Sequence, residues 1–308
     1  MSVAGEGGGR IGFSAYETGV PELGWILESS LMACELWECA KRQANLTLLC
    51  PESPAAGDCL ELGDDAAALR LADGRRITAR LIIAADGRES RLRTQAGLVA
   101  TEKPYGELGV VANFRVEKDH RGCAFQWFRE DGVLAWLPLP DRHVSMVWSC
   151  TEPTSRTLLE MPPDELADAV AGAGADRLGT FETVTPAAGF PLKLITVQQT
   201  VARRFALLGD AAHGIHPLSG HGINLGFSDA RDLAGLLGTA HDPGDAALLA
   251  RYQAMRRQET VLLQQGTHAL HELFRSRLPG VSLLRNLGLS LTDRAGPVKS
   301  LLARYAMG

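Results

Sequence analysis

Long apolar runs and an export signal are absent from this sequence. No stretch of about 18 consecutive apolar residues occurs, which is the length that a membrane-spanning helix needs. The N-terminus has no basic segment followed by an apolar one, as a secretory signal would. We therefore expect a cytoplasmic protein without a membrane span.

Paired cysteines and a broad basic surface are also missing. The six cysteines are scattered without any C-x-x-C pair, which favours reduced structural thiols over disulfides or a metal site. The formal net charge is -5 with the two signs interspersed, which argues against nucleic acid as the main partner. No set of Ser, His and Asp suggests a hydrolytic triad. These absences argue against a metal site, against nucleic-acid binding and against hydrolysis by a triad.

The chain is long and apolar enough for a large core. It has 308 residues, and 45% of them are hydrophobic. A chain of this size predicts two subdomains. Strand-like segments separated by turns dominate the middle of the chain, at 109–116, 124–129, 133–139 and 144–149. Helical periodicity occurs at 29–43, 163–172, 246–274, 281–291 and 297–305. A hairpin is predicted around Asp73-Gly74, followed by an apolar strand at 81–85.

A strand, a glycine-rich loop and a helix follow one another after residue 204. Phe205 to Leu208 is typical of a buried strand, and Gly209-Asp210 places a carboxylate at its end, where open α/β sheets bind ligands. Apolar residues recur at helical spacing from Ile223 onward, so the N-terminus of a helix lies at 220–224. Its free N–H groups and its dipole favour a negatively charged ligand.

A second polar segment follows the strand at 81–85. Asp86, Gly87, Ser90 and Arg93 gather at the carboxyl end of that strand. On their own they have a simpler interpretation, in which Asp86 and Ser90 cap the next helix and Arg93 is a solvated surface charge.

Together the two segments resemble those of the flavoprotein aromatic hydroxylases. These enzymes share a D-G-x-x-S-x-x-R segment, matched here at 86–93, and a G-D-A-A-H-x-x-x-P segment, matched at 209–217. Within that superfamily the chain is most similar to the ubiquinone-biosynthesis hydroxylases, through the segments at 23–29, 190–192, 284–289 and 301–306. The resemblance spans nearly the whole chain.

The resemblance implies an α/β fold that also carries α+β elements. An incomplete Rossmann-like FAD-binding domain would comprise 1–97 and 193–308, including a C-terminal helical region. An antiparallel-sheet substrate domain would be inserted at 98–192. The implied enzyme is a flavin-dependent NAD(P)H monooxygenase, in which NAD(P)H reduces FAD and molecular oxygen supplies a hydroxyl group to an electron-rich ring. The implied substrate is a polyprenylated phenol in ubiquinone biosynthesis.

The resemblance also implies roles for individual residues. Asp210 would bind the ribityl chain of FAD, and Pro217 would lie near the reactive carbon of the flavin. The backbone of Gly220, Gly222, Ile223 and Asn224 would face the pyrimidine end of the ring, where glycines permit close approach. The remaining cofactor-binding candidates are Asp86, Gly87, Arg93 and Gly209. His216 is a candidate for proton transfer, whereas His213 is more simply a packed, hydrogen-bonded loop residue.

The N-terminus departs from the pattern of that superfamily. Its members begin with a strand, a G-x-G-x-x-G turn and a helix that hold the ADP part of FAD. Gly7, Gly9 and Gly12 have the spacing, but only six residues precede them and Gly19 and Pro21 interrupt any following helix. We expect a truncated product, a wrongly assigned start or a partner chain that supplies the nucleotide half. We also expect weakened FAD binding and exposed apolar edges that favour self-association.

Several alternatives stay open at this point. The chain is either an active monooxygenase, a catalytically silent fragment or assembly protein, or a relative that acts on a soluble aromatic substrate. Trp127, Trp136 and Trp148 either line the active site or belong to plain core. The helix at 297–305 either docks on the protein itself or contacts an anionic bilayer, which would make the protein peripheral to the inner membrane.

Overall fold

The computed structural model of the chain describes residues 1–5, 8–215, 220–275 and 299. Its strands are β1 Ser2–Gly5, β2 Arg10–Gly12, β3 Leu60–Leu62, β4 Ala67–Arg70, β5 Arg76–Ala79, β6 Ile82–Ala84, β7 Ala100–Val116, β8 Phe125–Arg129, β9 Gly132–Leu139, β10 His143–Thr151, β11 Phe181–Thr183, β12 Ala188–Val197, β13 Val201–Ala202, β14 Phe205–Leu207 and β15 His213–Gly214. Its helices are α1 Ala15–Thr18, α2 Ser29–Lys41, α3 Arg91–Gln95, α4 Glu152–Glu160, α5 Pro163–Ala173, α6 Gly222–Leu237 and α7 Ala246–Arg275, with a 3-10 turn, η1, at Gly209–Ala211.

The described residues separate into two compact units. Unit 1 contains those of 1–38, 106–192 and 270–308, and unit 2 contains those of 39–105 and 193–269. The predicted boundaries are different: 1–97 and 193–308 for the FAD-binding domain, and 98–192 for the substrate domain. Which of the two predicted domains binds the cofactor and which binds the substrate stays a prediction.

Unit 1 is built on the antiparallel sheet that the sequence predicts. β10 pairs with β7 on one side and with β9 on the other, β8 pairs antiparallel with β9, and β1 pairs parallel with β8. A tight turn joins β9 to β10, where Asp141 and Arg142 have φ values of 54° and 56°, as two-residue hairpin turns require. One face of the sheet is covered by α4 and α5.

The tryptophans of unit 1 are core residues on the covered face. Trp136 is 0% exposed and Trp148 4%, and both belong to the cluster that includes Leu158 of α4 and Val170 of α5. Trp127 is partly buried against the same cluster. The plain-core alternative is therefore confirmed for Trp136 and Trp148, because strand alternation places them on the helix-covered face.

Unit 2 contains a short parallel pair of strands. β14 pairs parallel with β6, with Phe205 opposite Ile82 and Leu207 opposite Ala84. The three residues of β14 are 0% exposed because apolar clusters cover both faces of the strand. A strand buried on both faces needs a continuous apolar run, which is the pattern from which it was predicted. The hairpin around Asp73-Gly74 forms β4 and β5.

Helices α6 and α7 pack apolar stripes into unit 2. Leu225 and Leu233 of α6 are each 1% exposed, and Leu249 and Tyr252 of α7 are 2% and 1% exposed. In the described part of the chain, no helix has both the length and the apolarity to cross a bilayer. The helices predicted at 281–291 and 297–305 lie outside the described residues, apart from Lys299.

The cysteines are all free thiols, as expected. Cys59 and Cys150 are buried, and burial, followed by the charges of Asp131 and Glu107, raises the pKa of the Cys150 thiol to about 12. A thiol held in its protonated form is a poor nucleophile, which agrees with a structural role.

Candidate functional site

The two polar segments meet at one edge of the parallel strand pair. Because Leu207 lies opposite Ala84, the chain leaves β14 and β6 at the same end, and Gly209-Asp210 and Asp86-Gly87 follow directly. The Arg88 Nε atom donates to Asp210 Oδ2 over 3.0 Å. Both side chains are more than 40% exposed, so this ion pair orients them but contributes little stability.

The buried side chain of Arg93 connects the two segments. Its side chain is 5% exposed, and its two terminal nitrogens donate to Ala211 O and Arg88 O, each over 3.0 Å. The interpretation of Arg93 as a solvated surface charge is therefore wrong. Its buried guanidinium ties the first segment to the backbone of the second.

Asp86 and Ser90 cap helix α3, as the simpler interpretation predicted. Ser90 Oγ accepts a hydrogen bond from Arg93 N over 3.0 Å and donates to Asp86 Oδ1 over 2.5 Å. Asp86 Oδ2 also accepts from Leu92 N at 3.4 Å. The caps position Arg93, since it lies in the first turn of the helix that they begin. Gly87 has a φ of 82°, which favours glycine in the turn before the helix.

Gly209 allows close packing of its loop on helix α6. Its φ is 57°, and a Cβ at this position would lie 3.8 Å from Gly226 Cα. In return, a Cβ on Gly226 would lie 3.4 Å from Gly209 Cα. A pair of glycines thus brings the backbone of the loop against the first turns of the helix.

A buried charge network, which the sequence analysis missed, holds this loop. Asp229 of α6 is 1% exposed; its Oδ2 accepts from Gly209 N at 2.9 Å and from His213 Nε2 at 2.7 Å. Its Oδ1 accepts from Arg256 Nε of α7 at 2.7 Å, and Arg256 also pairs with Asp232 and Glu259. His213 is 5% exposed, so the packed-loop interpretation of this residue is confirmed.

The network lowers the pKa of Asp229. Burial on its own would raise that pKa, but hydrogen bonds and charge from His213, then Arg256 and the Gly209 N–H, outweigh it. A signal for Asp229 was present in the sequence, because this carboxylate interrupts the apolar stripe between Leu225 and Leu233 at spacings of four residues. A charged residue on such a stripe must be paired, and Arg256 was not recognised as its partner.

The N-terminus of α6 is open. Gly220 has a φ of 65°, and a Cβ added at Gly220 or Gly222 would meet no atom of the described residues within 4 Å. The preceding residue, His221, provides no side-chain cap, and Ile223 is 50% exposed. Asn224 is also exposed. Among the described residues, none therefore covers the first helical N–H groups, which suit a flat anionic ligand. His216 and Pro217 lie outside the described residues.

Comparison with known proteins identifies the family of the chain. A family model described as "FAD binding domain" matches residues 63–265. The chain is 36% identical over 290 residues to the ubiquinone hydroxylase UbiL of Rhodospirillum rubrum, covering 93% of this chain and 67% of the relative. The chain belongs to the flavoprotein aromatic hydroxylases, close to the ubiquinone-biosynthesis hydroxylases. Its family is one of flavin-dependent monooxygenases that use FAD, with NAD(P)H as the typical reductant.

Further relatives of this flavin-dependent monooxygenase extend the comparison. The 3-demethoxyubiquinol 3-hydroxylase of Escherichia coli is 35% identical over 300 residues, covering 96% of this chain and 76% of the relative. The crystal structure of p-nitrophenol 4-monooxygenase PnpA from Pseudomonas putida superposes with a TM-score of 0.80 at 15% identity, covering 99% of this chain and 80% of that one. That likeness establishes the fold.

The described residues fit the flavin end of FAD. The open helix N-terminus at Gly222 offers N–H donors to an anionic ring edge, and the glycines there leave room for a flat ring. Asp210 lies at the end of a buried strand, partly exposed and fixed by Arg88. The donors and the space are those that the predicted cofactor needs.

Proposed function

We propose that this chain hydroxylates the aromatic ring of a polyprenylated phenol in ubiquinone biosynthesis. The observation that carries the proposal is the meeting of the two family segments at the ends of β6 and β14, beside the open N-terminus of α6. The relatives support the substrate class, because UbiL is a ubiquinone hydroxylase and the E. coli protein is a 3-demethoxyubiquinol 3-hydroxylase.

FAD supplies the redox and oxygen chemistry when it is bound, and the chain's own residues position and protect it. In this proposal Asp210 accepts a hydrogen bond from the ribityl chain, and the backbone of Gly220, Gly222, Ile223 and Asn224 stabilises negative charge at the pyrimidine edge. Asp86, Gly87, Arg93 and Gly209 hold the surrounding loops in place. Pro217 and His216 keep their predicted roles, near the reacting ring carbon and in proton transfer.

Turnover by the purified chain tests this proposal. With added FAD and NAD(P)H, a short-chain prenylated phenol should stimulate NAD(P)H oxidation and gain one oxygen atom from isotopically labelled oxygen gas. Stimulation by a soluble hydroxybenzoate but not by the prenylated phenol would instead favour the alternative of a soluble aromatic substrate. A chain that binds FAD and oxidises NAD(P)H with neither phenol would contradict the proposed reaction.

Contact with an anionic membrane surface belongs to the same proposal. A prenylated substrate resides in lipid, and the helix predicted at 297–305 carries Lys299 and Arg304 beside an apolar face. The test is flotation with anionic liposomes. Protein that stays entirely at the bottom of the gradient would contradict it.

A further inference from the structure

Unit 1 contains a cavity whose lining includes none of the flavin-site residues described above. Its volume is about 180 Å³, and it is lined by Ser2, Ala4, Arg10, Gln126, Trp127, Gly174, Ala175 and Arg177. A cavity of about 150 Å³ is large enough for benzene, so the space corresponds to a ring-sized organic molecule rather than to one water. Of the residues discussed in the sequence analysis, the lining includes Trp127 but no residue of the two family segments.

The floor of the cavity is flat and partly apolar. β1 pairs with β8 so that Ala4 lies beside Trp127, and β2 pairs with β1 so that Arg10 lies beside Ala4. Neighbouring residues in register point to the same face of a sheet, and here they form one surface. The Trp127 ring contacts two other rings: its centre lies 4.6 Å from the centre of the Trp136 ring and 6.0 Å from the centre of the Phe125 ring. The floor is therefore set before any ligand arrives.

The wall of the cavity carries a cation without a counter-charge. The Arg177 guanidinium lies 4.7 Å from the centre of the Phe125 ring, and it makes no ion pair or hydrogen bond with another described residue. The turn that carries it is fixed, because a Cβ on Gly174 would lie 2.1 Å from the Trp136 ring. Gly174 thus allows the end of α5 to pack directly on that ring, and this packing fixes the position of the turn that carries Arg177.

We propose that this cavity binds a small aromatic carboxylate. The carboxylate would pair with Arg177, whose planar guanidinium matches its geometry, and the ring would lie against Trp127. This is a binding site in unit 1 that is independent of the flavin chemistry proposed above.

Calorimetric titration of the full chain with benzoate tests the proposal. We expect saturable binding with a dissociation constant on the order of 1 mM, as suits a ligand of this size. Phenol lacks the charge and acetate lacks the ring, so each should bind at least about fivefold more weakly. The Arg177→Gln variant should weaken benzoate binding by about tenfold, because it removes the charge from an exposed side chain without disturbing the core.

The Arg156→Gln variant is the matched control. Arg156 is an exposed arginine of α4 in the same unit, and its loss should leave benzoate binding unchanged. The titrations are repeated with saturating FAD, because benzoate could also bind as a substrate analogue at the flavin site. Absence of saturable benzoate binding would overturn the proposal. Binding that is equally tight in Arg177→Gln, or equally tight for acetate, would overturn it as well.

Discussion

At the scale of single residues, the carboxylate of Asp229 organises the site. It accepts hydrogen bonds from the loop backbone at Gly209 and from His213, and its charge is balanced by Arg256. The sequence motif identified Gly209 and His213 but not the two charges that hold them. Motifs report local spacing, whereas Asp229 and Arg256 are 27 residues apart and meet only when α6 and α7 pack.

Replacement of Asp229 should be strongly destabilising. The Asp229→Asn variant leaves Arg256 without its closest buried partner, and we expect the free energy of unfolding to fall by about 3 kcal/mol. Asp232 and Glu259 still pair with Arg256, which is why the loss should not be larger. Urea denaturation measures the difference. An unchanged midpoint would show that the network is not important for stability.

The same carboxylate predicts a dependence of stability on pH. The folded-state pKa of Asp229 is lowered, so its contribution is fully present above the unfolded pKa of about 3.9 and is lost as the pH falls through the folded value. The stability difference between wild type and Asp229→Asn should therefore be constant near neutral pH and shrink below about pH 4. Asp168→Asn, at an exposed position of α5, is the control and should show little difference at any pH.

At the scale of elements, the sequence patterns predicted which strands and helices form better than they predicted which face of a strand is buried. The strands and turns of unit 1 and the buried strand β14 followed from alternation, turn residues and a short apolar run. Which face of β9 and β10 would be covered by helices did not follow, because a large aromatic side chain suits either a core or a ligand pocket. Packing against α4 and α5 decides this for Trp136 and Trp148.

Trp136 should therefore matter for stability rather than for substrate choice. Trp136→Ala empties a fully buried site, and we expect a loss of about 3–5 kcal/mol in the free energy of unfolding. FAD affinity, measured at a temperature where the variant is folded, should be unchanged. A stable variant with altered preference among phenols would instead support the pocket interpretation of this residue.

At the scale of the whole molecule, one of the exposed apolar surfaces of the described residues lies on α2 and the segment before it. Helix α2 has no buried residue, and Leu31, Leu36 and Trp37 are between 41% and 58% exposed. Surfaces of this kind mark contacts with another polypeptide or aggregation sites. The sequence predicts self-association or a partner chain, and the exposed helix supports that prediction.

Self-association should depend on this helix. The purified chain should elute from size-exclusion columns at a larger size as its concentration rises, and the double variant Leu31→Glu/Leu36→Glu should suppress the effect. Leu262→Glu, on an exposed position of α7, is the control and should behave as wild type does. Monomeric elution of the wild type at all concentrations would contradict the expectation.

The central claim is that the ends of β6 and β14 and the N-terminus of α6 bind the flavin. Titration with FAD, followed by flavin absorbance, tests it directly through two valine substitutions in the same helix. Gly222→Val places a side chain in the open space at the helix N-terminus, whereas Gly235→Val places one at an exposed position with nothing within 4 Å. We expect saturable binding to wild type and Gly235→Val, and at least about tenfold weaker binding to Gly222→Val with unchanged thermal stability. Equal FAD affinity in the two variants, or no binding to the wild-type chain, would contradict it.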